Sequence, residues 1–196
     1  DNKRLTGSYS DQLAANSSAA EVTGTYVKFL ANGFQLNTAA SNLNENGSTF
    51  IYLAFAADPS TTTPSLANSF ATEIYTGNGS NGHSINTVGF KPDFTWIKTR
   101  TDIGGSNHFL FDSIRGATNR IFSNLTNGEA ADLDSLVSFD SNGFTVDDDI
   151  SCNGSGQSIV AWNWKAGGTP SINTDGSITS IVSANQAAGF SVVKYT

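Results

Sequence analysis

One stretch of this chain occurs twice, and that repetition limits the fold more than any other feature. Tyr26-Val-Lys-Phe-Leu-Ala-Asn-Gly-Phe34 returns as Leu136-Val-Ser-Phe-Asp-Ser-Asn-Gly-Phe144, 110 residues later. Its approach returns too: Asn2-Lys-Arg4 against Thr118-Asn-Arg120, and Ala19-Ala20-Glu21 near Glu129-Ala130-Ala131. After each comes an apolar run, Ile51-Tyr-Leu-Ala-Phe-Ala56 and Ile159-Val-Ala-Trp-Asn-Trp164. Phe70-Ala-Thr-Glu-Ile-Tyr-Thr76 matches Phe190-Ser-Val-Val-Lys-Tyr-Thr196 at a spacing of 120. So long a period makes each unit a whole domain, because tight solenoids use shorter repeats.

The repeat divides the chain. Residues 1–57 read as the back half of one unit and 58–69 as a linker. Residues 70–168 read as a complete unit, 169–189 as a second linker and 190–196 as the first strand of a following unit. Pro59, Thr61-Thr-Thr63-Pro64, Asn68 and Gly167-Gly-Thr-Pro170 punctuate the linkers. The ends are thus out of phase with the unit. With no Met and Asp1 first, the chain is expected to be a processed product or an internal piece.

Within the unit the pattern is that of strands. Asn, Ser, Thr and Gly fill 85 of 196 positions, which suits turns and half-exposed strands. Thirteen Phe, three Trp and five Tyr supply a core and argue against disorder. Alternation predicts strands at 70–76, 83–87, 93–100, 107–113, 119–122, 136–140, 144–146 and 157–165. Gly104-Gly105 marks a loop and Ser141-Asn142-Gly143 a tight hairpin turn, with Asn-Gly expected to take positive φ. The last strand is apolar on both faces, as a central strand is. A short helical turn is expected only in 124–135. The fold class is therefore all-β: antiparallel β-sandwich units, jelly-roll-like, in tandem.

Charge and composition remove several functions. A net charge of −7, with basic residues grouped only at Lys3-Arg4 and Lys98-Thr99-Arg100, disfavours capture of nucleic acid. No apolar run approaches the ~20 residues of a membrane span, so no membrane insertion is expected. Cys152 stands alone and reads as a small strand-end residue.

Candidate sites each have a bland reading beside the sharp one. His83 and His108 have no metal-ligand spacing, and no nucleophile–base set stands out, so no enzyme is expected. Asp147-Asp148-Asp149 offers carboxylates to Ca²⁺, chiefly Asp147 and Asp149; no other cofactor is expected. Against that, Asn37-Thr38-Ala39 stands there in the first copy, which favours a solvated loop. Arg115 beside Asp112 is a ligand-binding arginine or a corner salt bridge. Trp162 and Trp164 share a face by parity and would stack on sugars if exposed; Ala54 and Ala56 in the first copy favour core packing. Trp96 reads likewise. Asn16, Asn46, Asn78, Asn124 and Asn153 head N-glycosylation patterns, which arise by chance in such a composition.

Tyr75-Thr-Gly-Asn-Gly79, Gly89-Phe-Lys-Pro-Asp-Phe-Thr-Trp-Ile-Lys98, Phe111-Asp-Ser-Ile-Arg-Gly-Ala-Thr118, Ser141-Asn-Gly-Phe144 and Val160-Ala-Trp-Asn-Trp-Lys-Ala166 resemble an uncharacterised repeat domain of bacteriophage structural proteins, marine ones especially. The resemblance covers residues 1–57 and 69–168, with an insertion around Thr6–Gln12. It implies a tail fibre, virion appendage or capsid decoration at the virion surface or another extracellular place. Expected partners are other copies of the chain or other virion subunits. The alternative expectation is a lectin-like adhesin that attaches to host-surface glycans.

Overall fold

The computed structural model describes residues 4–6, 9–30, 33–52, 54, 68–101 and 106–196. Most of the 58–69 linker, half of the apolar run Ile51–Ala56 and the Gly104-Gly105 loop lie outside the described residues.

The chain begins with a four-stranded antiparallel sheet in sequential order: β1 (Leu5–Thr6), β2 (Tyr9–Gln12), β3 (Val22–Leu30) and β4 (Gly33–Leu36). A helical turn, α1 (Ser41–Asn44), follows. The central body comprises β5 (Phe70–Thr76), β6 (His83–Ile85), β7 (Phe94–Thr99), β8 (Phe109–Asp112) and β9 (Gly116–Phe122). It continues with β10 (Ala130–Ala131), β11 (Leu136–Asp140), β12 (Gly143–Val146), the turn α2 (Ile150–Asn153) and β13 (Ser158–Trp164). The chain closes with a meander of β14 (Ser171–Asn173), β15 (Ser180–Asn185) and β16 (Phe190–Tyr195).

The central body is a sandwich of antiparallel sheets. One sheet has the order β10-β9-β8-β7-β13-β5 and the other β11-β12-β6. β13 lies between β5 and β7, in register Trp162↔Thr72 and Trp162↔Trp96. That central place accounts for its apolar residues on both faces. Period-two alternation then sorts the side chains. Ile97, Phe109, Phe111, Ile159 and Ala161 face inward and meet Ile85, Leu136, Phe144 and Val146 of the smaller sheet. Val88, Phe90 and Cys152 complete this core. Phe111 and Phe144 are wholly buried, and each such side chain contributes roughly 1.5–3 kcal/mol of transfer free energy.

The outward face of the larger sheet carries Phe94, Trp96, Trp162 and Trp164, and the flanking sheets cover it. From the front, the Arg4 guanidinium lies 5.3 Å from the Trp162 ring centroid. From the back, Phe190 stacks on Trp164, centroids 6.0 Å apart and planes at 21°.

Two local expectations differ from the structure. No helical turn forms in 124–135. Asp132 instead accepts hydrogen bonds from the backbone N–H groups of Asp134 and Ser135 and from the Ser135 hydroxyl, holding a turn there. The helical turn falls at 150–153, where the Asp149 carboxylate caps the N–H groups of Ser151 and Cys152. Cys152 therefore sits in α2, not at a strand end. In the β11–β12 hairpin Gly143 has the expected positive φ, 155°, and Asn142 does not. Glycine is required there for a second reason as well: a Cβ would come within 1.8 Å of the Ile85 carbonyl oxygen of β6.

The flanks also bear on the expected divisions. Residues 169–189, read as a linker, contain β14 and β15. Residues 190–196, read as the first strand of a following unit, supply β16, which pairs with β15 from Asn185↔Phe190 to Ser180↔Tyr195. The front sheet shares its construction with part of the central body. β3–β4 pairs Phe29↔Phe34 and Leu30↔Gly33; β11–β12 pairs Phe139↔Phe144 and Asp140↔Gly143. Each hairpin is followed by a four-residue helical turn, α1 or α2. Each is preceded by an ion pair, Arg4–Glu21 at 2.5 Å in one case and Arg120–Asp132 in the other. These pairs align Ala19-Ala20-Glu21 with Ala130-Ala131-Asp132, one residue on from the sequence match.

Candidate functional site

The densest polar cluster lies where the front sheet meets the outer tryptophan face. Parity places Trp96 and Trp162 side by side on β7 and β13, and their rings meet edge to face at 5.7 Å. The Trp96 indole N–H donates to His108 Nδ1 at 2.8 Å. An indole nitrogen only donates, so Nδ1 carries no proton. The proton is on Nε2, which donates to the Ala14 carbonyl at 3.0 Å. Burial, with the nearby Lys98 charge, lowers the His108 pKa from 6.5 to about 4. The imidazole is thus a fixed neutral relay from the sheet to the front segment.

Around this relay the charges are paired. Glu21 accepts from Arg4 Nη1 at 2.5 Å and from Arg100 Nε at 2.9 Å, and its backbone N–H donates to the Arg100 carbonyl. Ser123 Oγ donates to the Ala15 carbonyl at 2.7 Å. Lys98 is 1% exposed, and its ammonium donates to the Thr99 carbonyl. The Lys98-Thr99-Arg100 group is therefore not a basic surface patch. Sequence reasoning weighed His108 only as a metal ligand, Lys98 only as part of a basic group and Glu21 only as part of the repeat. The available signal was Lys98 at an apolar position of the Trp96-Ile97-Lys98 alternation.

The sequence-derived candidates fall in separate places. Trp162 is half-buried beneath Arg4, and Trp164 is 8% exposed against Phe70, Phe94 and Phe190. A sugar stacking on either ring would have to displace these neighbours. Arg115 lies at the far corner, bonded to Asp112 and Glu129 and to the Leu110 carbonyl. Asp112 also accepts the N–H groups of Ile114 and Arg115, so the pair shapes the turn between β8 and β9. Asp147 accepts the Gly82 N–H at 2.8 Å, while Asp149 caps α2. Burial, aided by Asp132, raises the Asp149 pKa, and the capping N–H groups oppose that rise. Among the described residues no three His, Cys, Asp or Glu side chains gather as metal ligands.

A second polar hub was not foreseen. Asn153 is completely buried. Its Oδ1 accepts from the Asn78 N–H and from His83 Nδ1, and its Nδ2 donates to Asn78 Oδ1 and the Ser80 carbonyl. Every hydrogen-bonding position of that amide is used, which closes the loop between β5 and β6 onto α2. The Asn153 glycosylation pattern is thus inaccessible in the folded chain. Next to it, Tyr75 donates its hydroxyl to the Cys152 carbonyl, and burial pushes the Cys152 thiol well above its usual pKa. A thiol so placed is a poor nucleophile.

These arrangements serve as joints between sheets: neutral imidazole, paired charges and stacked rings. No curated protein and no solved structure matches the chain. A family model does match, over residues 1–59 and 65–196. By that match the chain belongs to the DUF7483 family, a domain of unknown function.

Proposed function

We propose that the chain is a structural component of a bacteriophage virion, a fibre, appendage or capsid decoration assembled from β-sandwich units at the particle surface. One observation carries the reading: hairpin, helical turn and arginine–carboxylate pair occur twice in one chain with the same register. Duplicated building units suit an extended assembly, where each unit supplies contacts to the next. The paired charges and stacked rings of the outer face suit mechanical joining of sheets. The likeness of the Gly89–Lys98 and Val160–Ala166 motifs to phage structural repeats points the same way.

Mass spectrometry of gradient-purified particles tests this. The chain is expected to sediment with the particles at a constant ratio to their other structural proteins. Recovery only from the soluble fraction of the lysate would overturn the proposal. A specific glycan-array signal lost in Trp162→Ala would instead establish the lectin-like reading.

A further inference from the structure

We propose that the cleft between Lys91 and Lys165 binds an acidic sugar, a glycan unit that carries one carboxylate. Four segments that are distant in sequence meet there. Lys91 leads into β7, Ser113 leaves β8, Lys165 leaves β13, and Thr169-Pro170 leads into β14. With Asp93 they enclose a cleft of about 430 Å³, which lies within the size range of small-ligand sites.

The walls of the cleft are held without help from the lysine side chains. Asp93 is 6% exposed; one carboxylate oxygen accepts from the Ser113 hydroxyl at 2.9 Å and the other from the Ala166 N–H at 2.8 Å. The Asp93 N–H donates to the Trp164 carbonyl, the Ser113 N–H to the Asp93 carbonyl and the Lys165 N–H to the Ser69 carbonyl. On the meander side the Ser183 hydroxyl donates to the Gly168 carbonyl. A Cβ at Gly167 would come within 2.1 Å of the Ala184 carbonyl oxygen, so that loop lies hard against β15. A site built in advance pays little ordering cost when a ligand arrives.

The two ammonium groups have no such duty. Every arginine is paired with a carboxylate: Arg4 and Arg100 with Glu21, Arg115 with Asp112 and Glu129, Arg120 with Asp132. Lys91 and Lys165 are exposed, and among the described residues neither forms an ion pair. In a chain of net charge −7, two such cations converge on one cleft. The first copy has Ala57 where Lys165 stands, so the repeat does not require a cation at that place.

Charge and lining set the ligand class. Two ammonium groups against the Asp93 carboxylate leave one positive charge. One carboxylate neutralises it, whereas a phosphate monoester overshoots it. The Ser113 oxygen, whose proton is engaged with Asp93, still accepts, and the Thr169 hydroxyl both donates and accepts. Pro170 offers an apolar face to the C–H groups of a ring. These groups suit a sugar better than a bare anion. The inference goes beyond the virion reading and places a glycan contact away from the covered Trp162 and Trp164.

Calorimetric and amide NMR titration with tri-galacturonate tests it. The sugar is expected to bind and to shift the amides of Lys91, Ser113, Lys165 and Thr169. Its methyl ester, with the same rings and no charge, and acetate, with the charge and no ring, should each bind at least about fivefold more weakly. Lys91→Gln and Lys165→Gln should each weaken binding about fivefold, the upper end for an exposed ion pair, whereas Lys194→Gln on β16 should leave it unchanged. Matching melting temperatures check that the variants fold. Equal affinity for acid and ester, equal affinity for acetate, equal losses in all three variants, or no binding up to the solubility limit of the sugar would overturn the proposal. Each of these results leaves the virion reading intact, because particle composition decides that separately.

Discussion

Acid should loosen the joint around His108, by an amount the structure sets. The folded protein holds His108 neutral with a pKa of about 4, against 6.5 when the chain is unfolded and the ring hydrated. The unfolded chain therefore gains a proton first as pH falls. Stability from this site is complete above pH 6.5, is lost between 6.5 and 4, and falls no further below 4. At pH 4.5 linkage puts the loss at about 2.5 kcal/mol, an upper bound if water reaches the ring. Protonation at Nδ1 also removes the acceptor for the Trp96 indole N–H. The assay is urea denaturation of wild type and His108→Gln at pH 7.5 and pH 4.5, followed by tryptophan fluorescence. Gln keeps a donor and an acceptor but does not titrate. Wild type is expected to lose about 2 kcal/mol more than the variant between the two pH values. Equal losses would refute the assignment of the acid-sensitive step to this imidazole. The raised pKa of Asp149 acts in the opposite direction and is common to both proteins, so it cancels in the comparison.

Other substitutions test single elements. Gly143→Ala places a methyl against the Ile85 carbonyl and should cost about 3 kcal/mol by forcing β6 away, whereas Gly33→Ala, which shares the positive φ but meets no described atom within 4 Å, should cost less; parallel urea melts check both. Asn153→Ala strands the Asn78 N–H and the Ser80 carbonyl, and a loss of about 2–4 kcal/mol is expected in the same measurement. Asp149→Ala removes the cap of α2 and should cost about 1 kcal/mol, and added Ca²⁺ should leave the wild-type melting temperature unchanged if capping is the whole role of that carboxylate.

Much of the central body was legible because its strands obey a simple period. Phe94–Thr99 and Ser158–Trp164 fall within a residue of their expected limits, and β13 is central as its two-sided apolarity requires. Residues 169–189 were not legible. Gly167-Gly-Thr-Pro170 punctuates like a linker, and Ile172 and Ile178 in a Ser/Asn-rich run hide a meander held by its own strand pairing and docked on the central body through Phe190 on Trp164. The joint at His108 was hidden for another reason. Its partners, Ala14, Trp96 and Lys98, come from two segments far apart in the chain, and no local spacing announces them. Asn153 was masked by a glycosylation pattern that composition alone produces. Trp162 and Trp164 were assigned correctly to one strand face, but what covers that face comes from the two ends of the chain.

The central claim is that hairpin, helical turn and arginine–carboxylate pair form one building unit that the chain uses twice, at β3–β4 and at β11–β12. Amide hydrogen exchange measures this directly. Amides bonded across β3–β4 and across β11–β12 are both expected to be protected in the folded chain. Fast exchange of the amides bonded across β3–β4 would contradict the account.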